Sequence, residues 1–240
     1  MRRALFFLLM AVTLGGCNAP RTEFGMKVGR NEVTWNNGLL EFRTDMDSKG
    51  NRDDNPAFRA YVRNQEGKTI HMPADAEGLG YGASCPMGTS GLYKPGNGIS
   101  DAEILLQTQE RIIIHLRYDN WKILDAPISL DKQITLFHDS PIMAVIDYYS
   151  GDFELLNVAA GLTTADTGKI REIDNGYAVE YPDGITGIIV MPEADEKTNS
   201  RMTGNVMLRK GVGQEQVLRY YVGLSGQGLD YLLDKLAEVL

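Results

Sequence analysis

The chain has 240 residues, 43% hydrophobic and 23% charged, with 32 acidic side chains against 24 basic ones and a formal net charge of −8. Length and apolar content suit one domain with a sizeable core. The acidic balance excludes a nucleic-acid-coating role, because the basic footprint that neutralises phosphates is missing; a locally basic pocket for a small anion is compatible with it.

In chain order, Arg2 and Arg3 precede an apolar run from Ala4 to Leu14, too short for a membrane span of about 20 residues and followed by the small residues Gly15 and Gly16. This is the pattern of a signal peptide. Cys17 after Leu14-Gly15-Gly16 reads as a lipobox, in which the thiol is acylated and the protein is held on a membrane. The expected organisation is a signal peptide over 1–16, a lipidated tether over 17–30 and one domain over 31–240. Asn18 is no acidic retention signal, which favours the outer membrane. With Cys17 lipidated, Cys85 has no disulfide partner.

From Glu32 to Met72 short strands alternate with turns at Asn36-Asn37-Gly38 and Gln65-Glu66-Gly67. Asp45 to Asp54 has the opening acids of a calcium loop, but Lys49 and Pro56 stand where oxygen ligands are needed, so a solvated hairpin tip is expected. Glu77 to Gly98 contains seven glycines. It reads as a long functional loop carrying Tyr81, Tyr93 and Lys94, an aromatic and basic set suited to a sugar or a carboxylate.

Arg111 to Tyr118 is the clearest strand. At period two, Ile112, Ile114, Leu116 and Tyr118 share a core face, and Ile113, His115 and Arg117 share the other. Ile128 to Leu136 alternates similarly, with Lys132 interrupting its apolar face and expected to snorkel. Strands follow at Pro141 to Tyr149, Leu155 to Leu162, Ile170 to Ile173, Tyr177 to Tyr181, Gly187 to Met191, Asn205 to Arg209 and Val217 to Val222, with Asn175-Gly176 as a hairpin turn. Glu193 to Ser200 reads as a charged loop. Ser225 is expected to cap a terminal helix with a stripe of Leu229, Leu232, Leu233, Leu236 and Leu240. The sum is a mainly β fold, an antiparallel two-sheet sandwich with a C-terminal helix.

No Gly-x-Ser-x-Gly elbow, His-Glu-x-x-His motif or paired-Cys motif occurs, and the histidines are scattered at His71, His115 and His138, so neither a metal nor a cofactor is expected. Acid–base chemistry or plain binding remains. Histidine is the residue type suited to acid–base work near neutrality, which makes His115 the candidate, and Arg117 can hold a carboxylate through two parallel hydrogen bonds. A uronic acid offers such a carboxylate; in a lyase His115 or Tyr81 would be the base and Arg117 the neutraliser. The bland alternative is a solvated or structurally paired strand face. His71, shortly before the glycine-rich stretch, is a further ligand-binding candidate.

Trp35-Asn36-Asn37-Gly38-Leu39, Glu77-Gly78-Leu79, Cys85-Pro86-Met87-Gly88-Thr89, Arg111 to Trp121, Ala159-Ala160-Gly161-Leu162 and Gly187-Ile188-Ile189-Val190 resemble blocks of domain-of-unknown-function family 4861. The resemblance implies a galactose-mutarotase-like sandwich among polysaccharide-utilisation proteins, acting on or binding uronate-rich, pectin-like oligosaccharides. It adds Glu77 as a candidate catalytic residue. A non-catalytic accessory lipoprotein and a sugar mutarotase or epimerase are the rival expectations.

Overall fold

A computed structural model describes residues 24–30, 32–46, 58–72, 79–89, 91–93, 99–123, 126–164, 168–200 and 204–240, the Asn120 side chain excepted. Cys17, Glu77, Lys94 and most of the Asp45 to Asp54 turn lie outside the described residues. In chain order the strands are β1 (Gly25–Val28), β2 (Glu32–Asn36), β3 (Leu40–Asp45), β4 (Arg59–Arg63), β5 (Thr69–Met72), β6 (Tyr81–Gly88), β7 (Gly91–Leu92), β8 (Asp101–Gln107), β9 (Arg111–Ile123) and β10 (Ala126–Phe137). They continue with β11 (Ile142–Gly151), β12 (Leu155–Thr163), β13 (Lys169–Ile173), β14 (Gly176–Glu180), β15 (Thr186–Val190), β16 (Glu196–Ser200), β17 (Asn205–Gly213) and β18 (Val217–Ser225). One helix, α1 (Leu229–Ala237), follows.

The expected antiparallel sandwich forms, but from three hydrogen-bonded sheets instead of the two expected. One is a meander, β1-β2-β3-β4-β5; the largest has eight strands in the order β13-β14-β15-β18-β11-β10-β9-β8; the third runs β16-β17-β12-β6-β7. The meander and the third sheet meet along a seam made by the parallel bridge Phe58↔Gly80 and the Tyr81 N–H donating to Phe58 O at 3.0 Å. Apolar side chains of all three sheets meet in one core. The helix packs Leu232 and Leu236 on the opposite side of the large sheet, against Ile142, Ala178, Ile188 and Val190.

The period-two patterns explain the layers. Ile112, Ile114, Leu116 and Tyr118 are buried on β9, as their alternation predicts, and β10 buries Ile128, Leu130, Ile134 and Leu136 in the same way. Lys132 departs from expectation: it is 1% exposed, so it does not snorkel but lies in the core. Register places it directly opposite Asp147 of β11, which gives the ammonium a carboxylate.

Other local readings change as well. The glycine-rich stretch contains the buried strand β6, whose small residues allow close packing between layers. A Cβ on Gly82, at φ +107°, would stand 2.8 Å from Val222 Cγ2. Glu196–Ser200 is an edge strand rather than a loop, because register pairs it with β17. Gly25–Val28, within the stretch expected as tether, pairs with β2. Ser225 does not cap α1: Gly228 occupies the N-cap, and Ser225 Oγ accepts the Gln227 N–H at 3.0 Å.

Candidate functional site

The sequence candidates fall in separate places. His115 and Arg117 project from the side of the large sheet opposite the core, and carboxylates surround them. His115 Nε2 is 2.8 Å from Asp131 Oδ1, and Nδ1 is 3.4 Å from Glu103 Oε1. Arg117 Nε donates to Asp119 Oδ1 at 2.9 Å and Nη1 to Asp131 Oδ1 at 2.9 Å. A hydrogen bond from Ser100, together with Arg117, holds the Asp119 carboxyl below its usual range. Three acids therefore face one guanidinium and one imidazole, an arrangement that repels an incoming carboxylate; Asp131 takes His115 Nε2, while Nδ1 has no hydrogen-bond partner among the described residues.

Tyr81 lies on the other side of that sheet, buried in the core with its ring edge-on to Tyr181 at 5.8 Å. Burial pushes its hydroxyl above the ordinary phenol range. The strand β6 thus carries Tyr81 away from His115 and Arg117 instead of folding it over them. Tyr93 packs its ring over Gly88, and its carbonyl accepts the Trp121 Nε1–H at 2.9 Å.

Beneath β9 to β11 lies a polar cluster that sequence reasoning did not assemble. Lys132 Nζ donates to Asp147 Oδ1 at 2.6 Å, Asp147 Oδ2 at 2.7 Å and Tyr220 Oη at 2.8 Å. Ser84 Oγ donates to Asp147 and lies 2.8 Å from Tyr149 Oη. Burial pushes the Lys132 ammonium down, against the opposing pull of Asp147, and pushes the Tyr149 and Tyr220 hydroxyls well up. Lys132 and Asp147 are 1% and 0% exposed, so this cluster is core structure.

Among the described residues, open concave surface lies elsewhere, at the end of the sandwich where four turns converge. A hollow of about 530 Å³ is lined by Leu39 and Leu40 after the β2–β3 turn, Arg63, Asn64 and Gln65 of the β4–β5 hairpin, Pro141, and Gln227 and Tyr231 at the start of α1. A second hollow of about 200 Å³ shares Leu39, Leu40 and Arg63 with it and adds Glu41, Arg43, Tyr61 and Thr69.

The sequence folds this way for identifiable reasons. Asn37 is fully buried; its Nδ2 donates to Phe137 O at 2.8 Å and Ser140 O at 2.7 Å, and its Oδ1 accepts the N–H groups of Leu39 and Leu40. One side chain thereby clamps the β2–β3 turn onto the β10–β11 turn. Asn64 Oδ1 accepts the N–H groups of Glu66 and Lys68, closing the β4–β5 turn. Gly226 lies against that hairpin: a Cβ there would be 2.6 Å from Asn64 Cα.

His71 joins this region. Its ring stacks on Tyr61 at 4.7 Å, and the Arg43 guanidinium covers Tyr61 at 4.4 Å from the ring centroid. Arg43 is also paired with Glu41 and Glu32, and Arg59 with Glu32 and Asp45. Arg63 is exposed, lines both hollows and has no acidic partner among the described residues. In the sequence, Gln65-Glu66-Gly67 reads only as a separator and the terminal helix only as packing. The glycines flanking Gln227 were the available signal. Among the described residues, no group of three or more His, Cys, Asp or Glu side chains is placed to hold a metal ion.

No protein-family model and no curated protein matches the chain. Solved structures do. The periplasmic domain of YidC from Thermotoga maritima is similar with a TM-score of 0.56 and 11% identity, over 89% of this chain and 92% of that one. YidC from the same organism gives 0.53 and 12%, over 90% and 56%. The heparan sulfate lyase HepC from Pedobacter heparinus gives 0.52 and 11%, over 84% of this chain and 36% of the lyase. At such identities the likeness shows a shared β-sandwich fold.

Proposed function

We propose that this chain is a lipid-anchored protein of the cell envelope that binds an acidic oligosaccharide in the double hollow around Arg63. The observation that carries the reading is the unspent chemistry of that hollow. Arg63 has no carboxylate partner among the described residues, and Gln65, Gln227 and Tyr231 line the hollow beside it with no side-chain hydrogen bond among them. Amides, a phenol and a free guanidinium are the groups that bind sugar hydroxyls and a carboxylate or sulfate. The exposed His71, at the end of its stack with Tyr61 and Arg43, extends this surface.

Three further points support the reading. The similar fold of a heparan sulfate lyase, whose substrate is by name a sulfated glycan, supports the ligand class. The sequence blocks resembling domain-of-unknown-function family 4861 support a uronate-rich glycan. The lipobox at Cys17 supports the anchor and, with Asn18 after it, an outer-membrane address. Binding is favoured over catalysis at His115 and Arg117 because Asp131 bonds both of them and Asp119 bonds Arg117 as well.

The test is calorimetric titration of the protein with uronate, sulfated and neutral oligosaccharides, repeated on Arg63→Ala. Heat with acidic glycans that vanishes in the variant is the expected result. Equal heats in both proteins, or none with any glycan, would remove the reading.

A further inference from the structure

The outer edge of the large sheet carries an apolar group that the glycan reading does not use. Strand β8 is the last in its sheet, and its Ile104, Leu105 and Leu106 are 41%, 51% and 38% exposed. A register shift between Ile104 and Leu106 bulges the strand at Leu105, so the three side chains do not all turn to one face. Strand β1 packs beside β8 and adds Val28, 51% exposed. Three consecutive large apolar residues on an open edge need a partner or a reason not to aggregate.

The attachment of Phe24 to β8 points to the partner. Gln107 Nε2 donates to Phe24 O at 3.2 Å, and the Phe24 ring meets His138 edge-on at 5.4 Å. Phe24, just before β1, is therefore tied to the Gln107 end of β8. Leu105 is two positions from Gln107, roughly 7 Å along the strand. Seven Cα-to-Cα steps separate Cys17 from Phe24, and seven steps span at most about 25 Å. A lipid on Cys17 would keep the Gln107 end of β8 within roughly 30 Å of the bilayer.

The geometry points to Ile104, Leu105 and Leu106 as a membrane-docking edge that sets its apolar side chains into the lipid surface holding the acylated Cys17. This rests on the lipid anchor proposed above. Docking by β8 directs the opposite edge, β13, away from the bilayer. Exposed Asp101, Glu103 and Glu110 share the edge with exposed Arg111, so the contact is apolar insertion and not charge attraction.

The test uses the full lipidated chain in vesicles of phosphatidylethanolamine and phosphatidylglycerol. An environment-sensitive fluorophore is placed on Leu105→Cys and, for comparison, on Asp174→Cys in the β13–β14 turn at the far edge. Cys85 is buried and Cys17 is acylated, so the added thiol is the one labelled. Spin-labelled lipid is expected to quench the Leu105 probe several-fold more than the Asp174 probe. Equal, weak quenching at both positions in membrane-bound protein would overturn the docking and leave the anchor intact. A Leu105 probe shielded from water but not quenched by lipid, in a protein that sediments as a dimer, would assign the edge to a second copy and also overturn it. Mass spectrometry showing no acyl group on Cys17 would overturn the anchor itself.

Discussion

Lys132 Nζ lies 2.6 Å from Asp147 Oδ1, and the two residues stand opposite each other on β10 and β11 in the interior of the sandwich. Each charge is acceptable there because the other is present, and Tyr220 and Ser84 take further hydrogen bonds. A buried pair of this kind contributes little net stability over an apolar replacement, yet breaking it on one side is costly.

Asp147→Ala is therefore expected to destabilise the protein by about 3–5 kcal/mol. The double change Lys132→Met with Asp147→Leu should recover most of that loss, since it leaves no orphaned charge. Urea unfolding with matched m-values measures both. A single variant that unfolds at the wild-type midpoint would show that the ammonium does not depend on its partner.

Stability should fall as pH rises above about 10, the ordinary phenol value. The hydroxyls of Tyr149, Tyr181 and Tyr220 are pushed well above it by burial. There the unfolded chain releases phenolic protons that the native state retains, so unfolding is favoured by up to about 1.4 kcal/mol per pH unit for each group. Lys132, pushed down, acts in the opposite direction only up to its ordinary value of about 10.5, above which the tyrosines act unopposed by it. Tyr149→Phe should flatten the slope of stability against pH, and an unchanged slope would assign the alkaline loss to other groups.

The strands were largely legible and the site was not, for one physical reason. Alternation along a strand is local, so the faces of β9 and β10 could be read from Ile112 to Tyr118 and from Ile128 to Leu136. Which polar residues meet depends on pairing between distant strands. Nothing near Lys132 announces Asp147, and nothing near Arg63 announces Gln227. The glycine-rich stretch misled for a related reason. Gly82, Ala83 and Ser84 look like a loop because small residues carry no period, but the core needs small residues where layers approach closely.

Arg63→Ala should weaken binding of an acidic oligosaccharide at least tenfold, about 1.4 kcal/mol, while neutral sugars are little affected. Arg63→Lys should restore only part, because the ammonium cannot form two parallel bonds. Titration at two salt concentrations checks this, with the wild type expected to lose more affinity at high salt.

His115→Ala and Arg117→Ala should leave glycan binding unchanged and cost up to about 1 kcal/mol each in stability, as half-exposed ion pairs do. Calorimetry and thermal unfolding on the same samples separate the two readouts. Lost binding with unchanged stability would return the site to the face of β9.

Gly226→Ala should affect both quantities. Its Cβ would meet backbone at 2.6 Å and 2.8 Å on Asn64, so the β4–β5 hairpin must shift. About 1–3 kcal/mol of destabilisation is expected, together with weaker oligosaccharide binding. Full affinity in the variant would show that the hairpin does not form the wall of the hollow.

Strand β18 sits between β15 and β11 in the large sheet and follows, in chain order, every strand it joins. Until residues 217–225 are made, the sheet exists only as two ribbons with facing edges unpaired, and Lys132 and Asp147 lack the Tyr220 hydroxyl. A chain released early would thus present two open pairing edges and an unsealed charge pair, a form suited to aggregation and to removal by proteases.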